Sequence, residues 1–290
     1  MDNPAINIIS VCSGIGGLDL GAGAAIRSMG ITPRTICYVE REAFACAVLE
    51  ARMEAGDLES APIWTDIESF PGGIFAGYCD MVIGGLPCQP YSIAGKKRGI
   101  ADERYIWEAF FALLQTVRPA LVFLENVPGL LQFFKPLGQR LCAMGYEIEA
   151  GIFSAAEVGA PHRRERLFVL AHSDGKRRRG RRHGVARWCQ GEIQTARSRG
   201  AMGEIPAYPP TPDDRDGWES VVAMRPDLAP SIDGKLNPRF VEWLMNFPAG
   251  WTEISGAARV DRLRALGNAV VPATAELAVK TLWRRGKEDE

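Results

Sequence analysis

The chain has 290 residues, of which 47% are hydrophobic and 24% charged, and its formal net charge is −1. Such a composition is typical of a globular protein with one large domain, or with a large domain and a small one. The sequence contains neither an apolar run long enough to span a bilayer nor a basic and apolar leader after Met1, so we expect a cytoplasmic protein that does not bind membranes.

Short apolar runs alternate with amphipathic stretches between residues 6 and 171. In chain order, the pattern predicts a strand over Ile6–Cys12, a helix over Leu18–Met29, a strand over Thr35–Glu40, a helix over Arg41–Glu54, a strand over Cys79–Ile83, a helix over Asp102–Val117, a strand over Leu121–Leu124, a helix over Lys135–Met144 and a strand over Arg166–Ala171. This alternation is typical of an α/β fold with a Rossmann-like, mostly parallel sheet that carries helices on both faces.

The pattern changes at about His172, after which Arg and Gly dominate up to Gly203. A proline-rich stretch with little periodicity then runs from Pro206 to Pro230. We therefore predict a large domain over residues 1–171 and a smaller, irregular domain over residues 172–258. A further helix predicted over Thr274–Arg284 indicates that residues 259–290 return to pack on the large domain.

The basic residues are concentrated at the start of the small domain. Residues 172–200 contain nine lysines and arginines and two acids. A basic segment on a mildly acidic protein indicates one surface for a phosphate backbone, and a solvated loop explains the charge equally well.

The cysteines follow no ligand or disulfide pattern. There are seven, an odd number, and no two are spaced as Cys-x-x-Cys. This argues against a disulfide framework and against a zinc site, so we expect no metal and interpret most of them as small buried hydrophobic residues.

A glycine-rich turn follows the first predicted strand and precedes the first helix, with the sequence Ser10-Val11-Cys12-Ser13-Gly14-Ile15-Gly16-Gly17. Glycines let the backbone approach a ligand closely, and the start of a helix favours polar ligand groups. Glu40 ends the second strand, where an acid can accept hydrogen bonds from both hydroxyls of a ribose. Together they predict a nucleoside-containing cofactor, either a nicotinamide dinucleotide or S-adenosylmethionine.

Two further motifs follow buried strands. The first runs Gly84-Gly85-Leu86-Pro87-Cys88-Gln89-Pro90, and the second is Glu125-Asn126-Val127-Pro128. Both leave the carboxyl edge of the predicted sheet, where ligands bind in open α/β folds. A thiol held by prolines beside a carboxyl group indicates a nucleophile and a general acid.

The ordered motifs resemble those of the DNA cytosine-5 methyltransferase family. They are Pro87-Cys88-Gln89, Glu125-Asn126-Val127, His162-Arg163-Arg164-Glu165-Arg166 and Gly267-Asn268-Ala269-Val270. The similarity covers nearly the whole chain except residues 172–235, and the Leu236–Trp251 stretch is similar to bacterial or phage members. The resemblance implies DNA methylation of the restriction–modification kind, a catalytic and cofactor-binding domain over residues 1–171, and a target-recognition domain over residues 172–258.

The resemblance also implies roles for single residues. Cys88 is the thiolate that adds to cytosine C6, Glu125 binds the N3 and N4 edge of the base, and Arg166 holds the base O2 with Arg164 beside it. Further contacts with the base and its strand fall to Gln89, Ser92, Asn126 and Val127. S-adenosylmethionine is expected to bind the loop Ser13, Gly14, Ile15, Gly16 and Gly17, the ribose acid Glu40, the adenine-contacting pair Asp66 and Ile67, and Pro87, Asn268 and Ala269.

Double-stranded DNA is the expected partner, and we expect a monomer. The target base should be flipped out of the duplex, with the loop from Ser92 to Asp102 closing over it. Two residues depart from the family pattern: Cys12 stands where an aromatic residue is common, and His162 stands where a glutamine is common. For His162, the sequence favours a structural role over a pH-sensitive one.

Three alternatives remain open from the sequence. A tRNA cytosine-5 methyltransferase would use the same Cys88 and Glu125. A dinucleotide oxidoreductase would explain the glycine-rich turn and Glu40 and would leave the other motifs unexplained. A catalytically silent DNA-binding protein would not need Cys88, Glu125 and Arg166 together.

Overall fold

A computed structural model describes residues 4–87, 100–173 and 205–288 of the protein. Its strands are β1 (Ala5–Val11), β2 (Thr32–Val39), β3 (Ile63–Trp64), β4 (Met81–Gly84), β5 (Leu121–Asn126), β6 (Tyr146–Phe153), β7 (Arg166–Ser173), β8 (Ser231–Ile232) and β9 (Lys235–Leu236). Its α-helices are α1 (Gly17–Ser28), α2 (Ala43–Glu54), α3 (Ile100–Val117), α4 (Phe134–Ala143), α5 (Arg215–Met224), α6 (Pro238–Leu244), α7 (Arg259–Asn268) and α8 (Pro272–Glu288).

Seven strands form one sheet in the order β3-β2-β1-β4-β5-β7-β6. Strands β1 to β5 pair in parallel, whereas β7 is antiparallel to both of its neighbours, β5 and β6. The predicted α/β fold with a mostly parallel sheet is therefore confirmed. Because β7 runs against β5, its first residue lies at the same edge of the sheet as the last residues of β5.

Apolar side chains cover both faces of the sheet. Successive residues of β1 point to opposite faces, so that Ile8 belongs to one buried cluster and Ile9 to the other. The cluster around Ile8 includes side chains of α1 and α8, and the cluster around Ile9 includes side chains of α3 and α4. Burial of each large side chain contributes about 1.5–3 kcal/mol, so these clusters fix the sheet that positions the site.

The sequence did not predict β6 and β3. Strand β6 has the sequence YEIEAGIF and is mostly only partly buried, because it forms the edge of the sheet. Its two glutamates and its glycine interrupt the apolar run by which the other strands are recognised. Strand β3 has two residues, which is too short to produce a periodic pattern.

The described part of the predicted small domain, residues 205–258, is more regular than its proline content indicates. It contains α5, α6 and the short β8–β9 hairpin. Helix α5 is capped by the preceding residue, Asp214, whose side chain accepts a hydrogen bond from the Gly217 backbone N–H. Asn237 caps α6 in the same way, through the Arg239 N–H, and the helix begins at Pro238, a position where proline favours helix initiation. The domain boundaries themselves stay a prediction.

Candidate active site

A cavity of about 1030 Å³ opens at the carboxyl edge of the sheet. The ends of β1, β2, β4 and β5 reach it, and so do the last residues of α7. Its volume is at the upper end of the range for small-molecule sites, and large enough for a nucleoside cofactor together with a second reactant. Most of the predicted site residues in the described ranges line it: Ser13, Gly14, Ile15, Gly17, Glu40, Asp66, Ile67, Pro87, Glu125, Asn126, Val127, Arg166, Asn268 and Ala269.

The glycine-rich turn has a left-handed backbone at two of its glycines. Gly14 and Gly16 have φ angles of 54° and 82°, the left-handed region that favours glycine, and Gly16 caps α1. Gly17 allows another part of the chain to approach, because an added Cβ would lie 2.8 Å from the Val270 carbonyl oxygen. The turn therefore brings backbone groups to the cavity while the segment after α7 packs against it.

Glu40 connects this turn to the end of β2. Its Oε2 accepts a hydrogen bond from the Gly14 N–H over 2.7 Å, and its Oε1 accepts one from the Glu42 N–H over 2.8 Å. The side chain is buried, with 7% of the residue exposed. Each carboxylate oxygen has two lone pairs, so Glu40 keeps acceptor capacity for ribose hydroxyls. The same carboxylate thus organises the turn and can bind a sugar.

The wall beside the end of β3 contains the pair Asp66 and Ile67. The carboxylate of Asp66 accepts backbone hydrogen bonds from Glu68 and Ser69, over 3.0 and 3.1 Å. The Ser69 hydroxyl, with these backbone groups, lowers the pKa of Asp66. Ile67 provides an apolar surface on this wall, as expected for contact with a purine ring.

Cys12, the first residue that departs from the family pattern, also lines the cavity and has a left-handed backbone, with φ 50°. Burial, reinforced by the charge of Glu40 and partly opposed by Arg41, raises the pKa of its thiol to about 12. The Cys12 thiol is therefore protonated at neutral pH.

Glu125 and Arg166 form the charged pair of the cavity. Arg166 Nε lies 2.9 Å from Glu125 Oε1, and both side chains are largely buried. The pairing follows from the sheet, because Phe168 on β7 lies opposite Glu125 and Arg166 is two residues away on the same face. Burial raises the pKa of Glu125, while Arg166 and Arg164 partly oppose this. A carboxyl group with a raised pKa can carry a proton to a ligand.

Asn126 and Trp107 hold the chain that leaves β4. Asn126 is buried and donates from its side-chain amide to the Leu86 carbonyl oxygen over 2.8 Å. The indole N–H of Trp107 donates to the Pro87 carbonyl oxygen over 3.3 Å. In this structure the side chain of Asn126 therefore supports the chain immediately before Cys88, although Asn126 also lines the cavity.

Arg164 lies behind the cavity wall. Its guanidinium donates to the carbonyl oxygens of Gly267 and Ala269, each over 2.6 Å. Burial lowers the pKa of Arg164 to about 10, which leaves it cationic at neutral pH. In this structure Arg164 fixes the segment that contains Asn268, and Asn268 lines the cavity. Gly16 does not line the cavity either; it caps α1 within the glycine-rich turn.

Some of the predicted residues lie outside the described ranges, and another residue singled out from the sequence, His162, makes a contact within the protein. Cys88, Gln89 and Ser92 lie outside the described ranges, and so does nearly all of the basic segment, residues 174–200. His162 Nε2 lies 2.9 Å from the Leu244 carbonyl oxygen and so connects the Arg164 motif to the end of α6.

Several residues at the site were not predicted. Asp261 and Arg264 line the cavity from α7, two turns and one turn before Asn268 respectively. Trp251 donates its indole N–H to the Ile15 carbonyl oxygen, 236 positions away along the chain. Helical spacing from Asn268 could have indicated Arg264, whereas no sequence signal connects Trp251 to the glycine-rich turn.

Among the residues that the structure describes, no cluster of three His, Cys, Asp or Glu side chains is arranged to bind a metal ion. Within the same ranges, no helix is long and apolar enough to cross a membrane.

The fold is that of an α/β protein with a mostly parallel sheet, and its cavity lies at the carboxyl edge of that sheet. A family model described as C-5 cytosine-specific DNA methylase matches residues 6–220. The match covers more than half of the chain, and the chain therefore belongs to this family. The family predicted from the sequence motifs is confirmed.

The protein is similar to curated bacterial methyltransferases. Type II methyltransferase M.AquIA of Picosynechococcus sp. is 30% identical over 190 residues, which cover 58% of this chain and 73% of that protein. Type II methyltransferase M.BspRI of Lysinibacillus sphaericus is 29% identical over 186 residues, which cover 57% of this chain and 44% of that protein. The chain thus matches less than half the length of the second relative.

A solved structure with a similar fold is that of the S. pombe Dnmt2 methyltransferase. The two superpose with a TM-score of 0.63 over 97% of this chain and 99% of that chain, at 18% sequence identity. At this identity the likeness shows the fold alone.

Proposed function

We propose that the protein transfers a methyl group from S-adenosylmethionine to C5 of a cytosine in a specific sequence of duplex DNA. One observation carries the proposal most directly. The buried Glu125–Arg166 pair faces the same cavity as the glycine-rich turn and Glu40, and the chain leaving that cavity at Pro87 leads directly to Cys88.

The donor groups of the cavity suit an adenosyl cofactor. Glu40 has acceptor capacity for the ribose hydroxyls, and Ile67 with Asp66 offers an apolar surface and an acceptor for adenine. The turn at Gly14–Gly17 and the residues Asn268 and Ala269 would hold the amino-acid part. When bound, S-adenosylmethionine supplies an electrophilic methyl group on a sulfonium.

Cys88 is proposed to activate the base. Cytosine C5 is a weak nucleophile, and addition of the Cys88 thiolate to C6 converts the ring into an enamine whose C5 can take the methyl group. S-adenosylhomocysteine is the other product. Loss of the C5 proton to a base and expulsion of the Cys88 thiolate then restore the aromatic ring and the enzyme.

Glu125 and Arg166 are proposed to bind the pyrimidine during this addition. The raised pKa of Glu125 favours a carboxyl group that can donate a proton to N3 as negative charge develops on the ring. Arg166, already within 2.9 Å of Glu125, can donate to the base O2 from its remaining N–H groups. Arg164, which binds the carbonyls of Gly267 and Ala269, acts as a positioning residue.

Duplex DNA is the proposed substrate, because the family model concerns DNA methylases and the curated relatives are named type II methyltransferases. A tRNA cytosine-5 methyltransferase, the alternative from the sequence, is not favoured by these relatives. A base inside a duplex cannot reach a cavity of this kind, so the target cytosine is expected to be flipped out. The basic residues of segment 172–200 are expected to bind phosphates, and binding should weaken steeply with salt.

The proposal is tested with labelled S-adenosylmethionine and three substrates, namely mixed-sequence duplex DNA, tRNA and duplex DNA containing 5-fluorocytosine. We expect methylation of duplex DNA and none of tRNA. The fluorinated duplex should form a lasting covalent adduct, because release of Cys88 requires removal of a proton from C5 and fluorine takes the place of that proton. Cys88→Ser should abolish turnover and trapping, whereas Cys142→Ser, which alters an exposed cysteine, should not. Methylation of tRNA alone, or turnover by Cys88→Ser, would overturn the proposal.

A further inference from the structure

A buried tryptophan outside the predicted site holds the glycine-rich turn. Trp251, in the turn after α6, is 0% exposed and donates its indole N–H to the Ile15 carbonyl oxygen over 2.7 Å. Ile15 lies between Gly14 and Gly16, which have little conformational restraint of their own. The Ile15 side chain is buried in the same apolar cluster as Trp251. The turn is thus fixed from the C-terminal third of the chain.

One buried carboxylate, that of Glu242, fixes the position of Trp251. Glu242 of α6 is 0% exposed. Its Oε2 accepts a hydrogen bond from the Gly250 N–H over 2.8 Å, and its Oε1 accepts one from the Thr252 N–H over 2.9 Å. Glu242 therefore holds the backbone on both sides of Trp251. A buried carboxylate needs such partners, because leaving it unpaired is costly.

The same carboxylate also holds α7. Arg262 Nη2 lies 2.9 Å from Glu242 Oε1, and Arg262 Nε donates to the Thr252 hydroxyl over 3.0 Å. Helix α7 continues from Arg262 to Asn268, which lines the cavity. Two separate walls of the cavity, the glycine-rich turn and the end of α7, are therefore connected to Glu242.

We infer that Trp251 and Glu242 are positioning residues for the cofactor. Trp251 fixes the Ile15 carbonyl and with it the direction of the backbone groups from Gly14 to Gly17. Glu242 fixes Trp251 and, through Arg262, the end of α7. Neither residue lines the cavity, so they act on the cofactor only through these walls. The inference rests on the proposed function, since it requires that the cavity binds S-adenosylmethionine.

The central test is Trp251→Phe, which keeps an aromatic ring and removes the N–H donor. Its matched control is Trp243→Phe, because Trp243 also donates its indole N–H to a backbone carbonyl, that of Pro206, over 2.8 Å. Trp243 is buried, at 8% exposure, and belongs to a cluster away from the glycine-rich turn. Affinity for S-adenosylmethionine and S-adenosylhomocysteine is measured by titration calorimetry without DNA, together with melting temperatures.

We expect Trp251→Phe to weaken cofactor binding about fivefold, the effect of one neutral hydrogen bond, and Trp243→Phe to leave it within about twofold. Glu242→Gln should weaken it more than Trp251→Phe, and Glu253→Gln, which alters an exposed ion pair with Arg239, should not change it. In steady-state assays, Trp251→Phe should raise the KM for S-adenosylmethionine and keep kcat at saturating cofactor, because the chemistry is untouched.

Two results would overturn the inference while leaving the proposed function intact. One is wild-type affinity in Trp251→Phe, and the other is an equal loss of affinity in Trp251→Phe and Trp243→Phe, which would indicate general loosening. Failure of the wild-type protein itself to bind S-adenosylmethionine would overturn the proposed function and this inference together.

Discussion

Arg166 Nε lies 2.9 Å from Glu125 Oε1 at the edge of the sheet where β5 ends and β7 begins. Two opposing effects act on the carboxyl group, since burial raises its pKa and the guanidinium lowers it, and burial prevails. The pair thus contains a carboxyl group that holds its proton to higher pH than an ordinary glutamate, as a general acid requires.

Glu125→Gln should slow methyl transfer by about 10²–10⁴-fold, the usual contribution of a positioned general acid. The amide can still form hydrogen bonds with the base but cannot supply a proton, so DNA and cofactor affinities should change little. Single-turnover rates with saturating DNA measure the effect. Glu165→Gln, which alters an exposed acid in the neighbouring motif, is the control, and an equal loss in both variants would contradict a specific role for Glu125.

Arg166→Gln should move the alkaline limb of the pH–rate profile to higher pH. The proposed step needs protonated Glu125, so its rate falls as pH rises through the pKa of that group. Removing Arg166 removes an influence that lowers this pKa, and the proton is then retained to higher pH. The maximal rate should fall as well, because Arg166 is proposed to hold the base. An alkaline limb that stays in place or moves down would show that Glu125 is not the group that titrates.

Arg164→Met should weaken binding of S-adenosylhomocysteine about tenfold, because two charge-assisted hydrogen bonds to the segment around Asn268 are lost. The matched control is Arg163→Met, which alters the adjacent and exposed arginine. Calorimetric titration without DNA separates this effect from any contact with the substrate. Equal affinities in the two variants would show that Arg164 does not support the cofactor wall.

The sequence motifs predict those parts of the site that are contiguous in the chain. The turn at Gly14–Gly17 follows a strand and opens a helix in the structure, and Glu40 comes directly after β2, because strand ends and turn residues are local features. The side-by-side placement of Glu125 and Arg166 depends on β7 running antiparallel to β5, which the sequence pattern did not predict. What could not be predicted is which of these side chains would touch.

Contacts between segments far apart in the chain could not be predicted, because they have no recognisable motif in the sequence. Arg164 binds carbonyl groups more than 100 positions away, and Trp251 reaches Ile15 across 236 positions. Both contacts end on backbone oxygens, which every residue possesses, so the partner carries no signature in the sequence. The buried acid Glu242 gives no signal either, since an acid in an amphipathic helix is ordinarily expected to face solvent.

Cys12 should resist alkylation at pH 8, whereas the exposed Cys142 should react. Burial, reinforced by Glu40, raises the pKa of the Cys12 thiol to about 12, and only thiolates react readily with iodoacetamide. Peptide mapping by mass spectrometry after timed exposure measures both sites. Cys12→Ser serves as the control, and labelling of Cys12 as fast as Cys142 would contradict the raised pKa.

Stability should depend on pH through Asp19 in the first turn of α1. Its carboxylate accepts a hydrogen bond from the Ser10 hydroxyl over 3.0 Å, yet burial raises the pKa of Asp19 to about 7. In the unfolded chain this pKa is near the ordinary value of 3.8, so between about pH 4 and pH 7 the folded state binds more protons than the unfolded state. The free energy of unfolding must therefore decrease as pH rises through this window and level off above it.

Asp19→Asn should remove most of this dependence, because the neutral amide still accepts the Ser10 hydrogen bond and cannot ionise. Relative to wild type, the variant should gain roughly 2–4 kcal/mol between pH 4 and pH 8, since one pKa unit corresponds to about 1.4 kcal/mol. Urea unfolding at several pH values measures it, with Asp216→Asn as the control for an exposed acid in a first helical turn. If wild type and Asp19→Asn kept a constant stability difference across the range, Asp19 would not be the group that titrates, because that difference changes with pH only when the pKa of Asp19 differs between the folded and unfolded states.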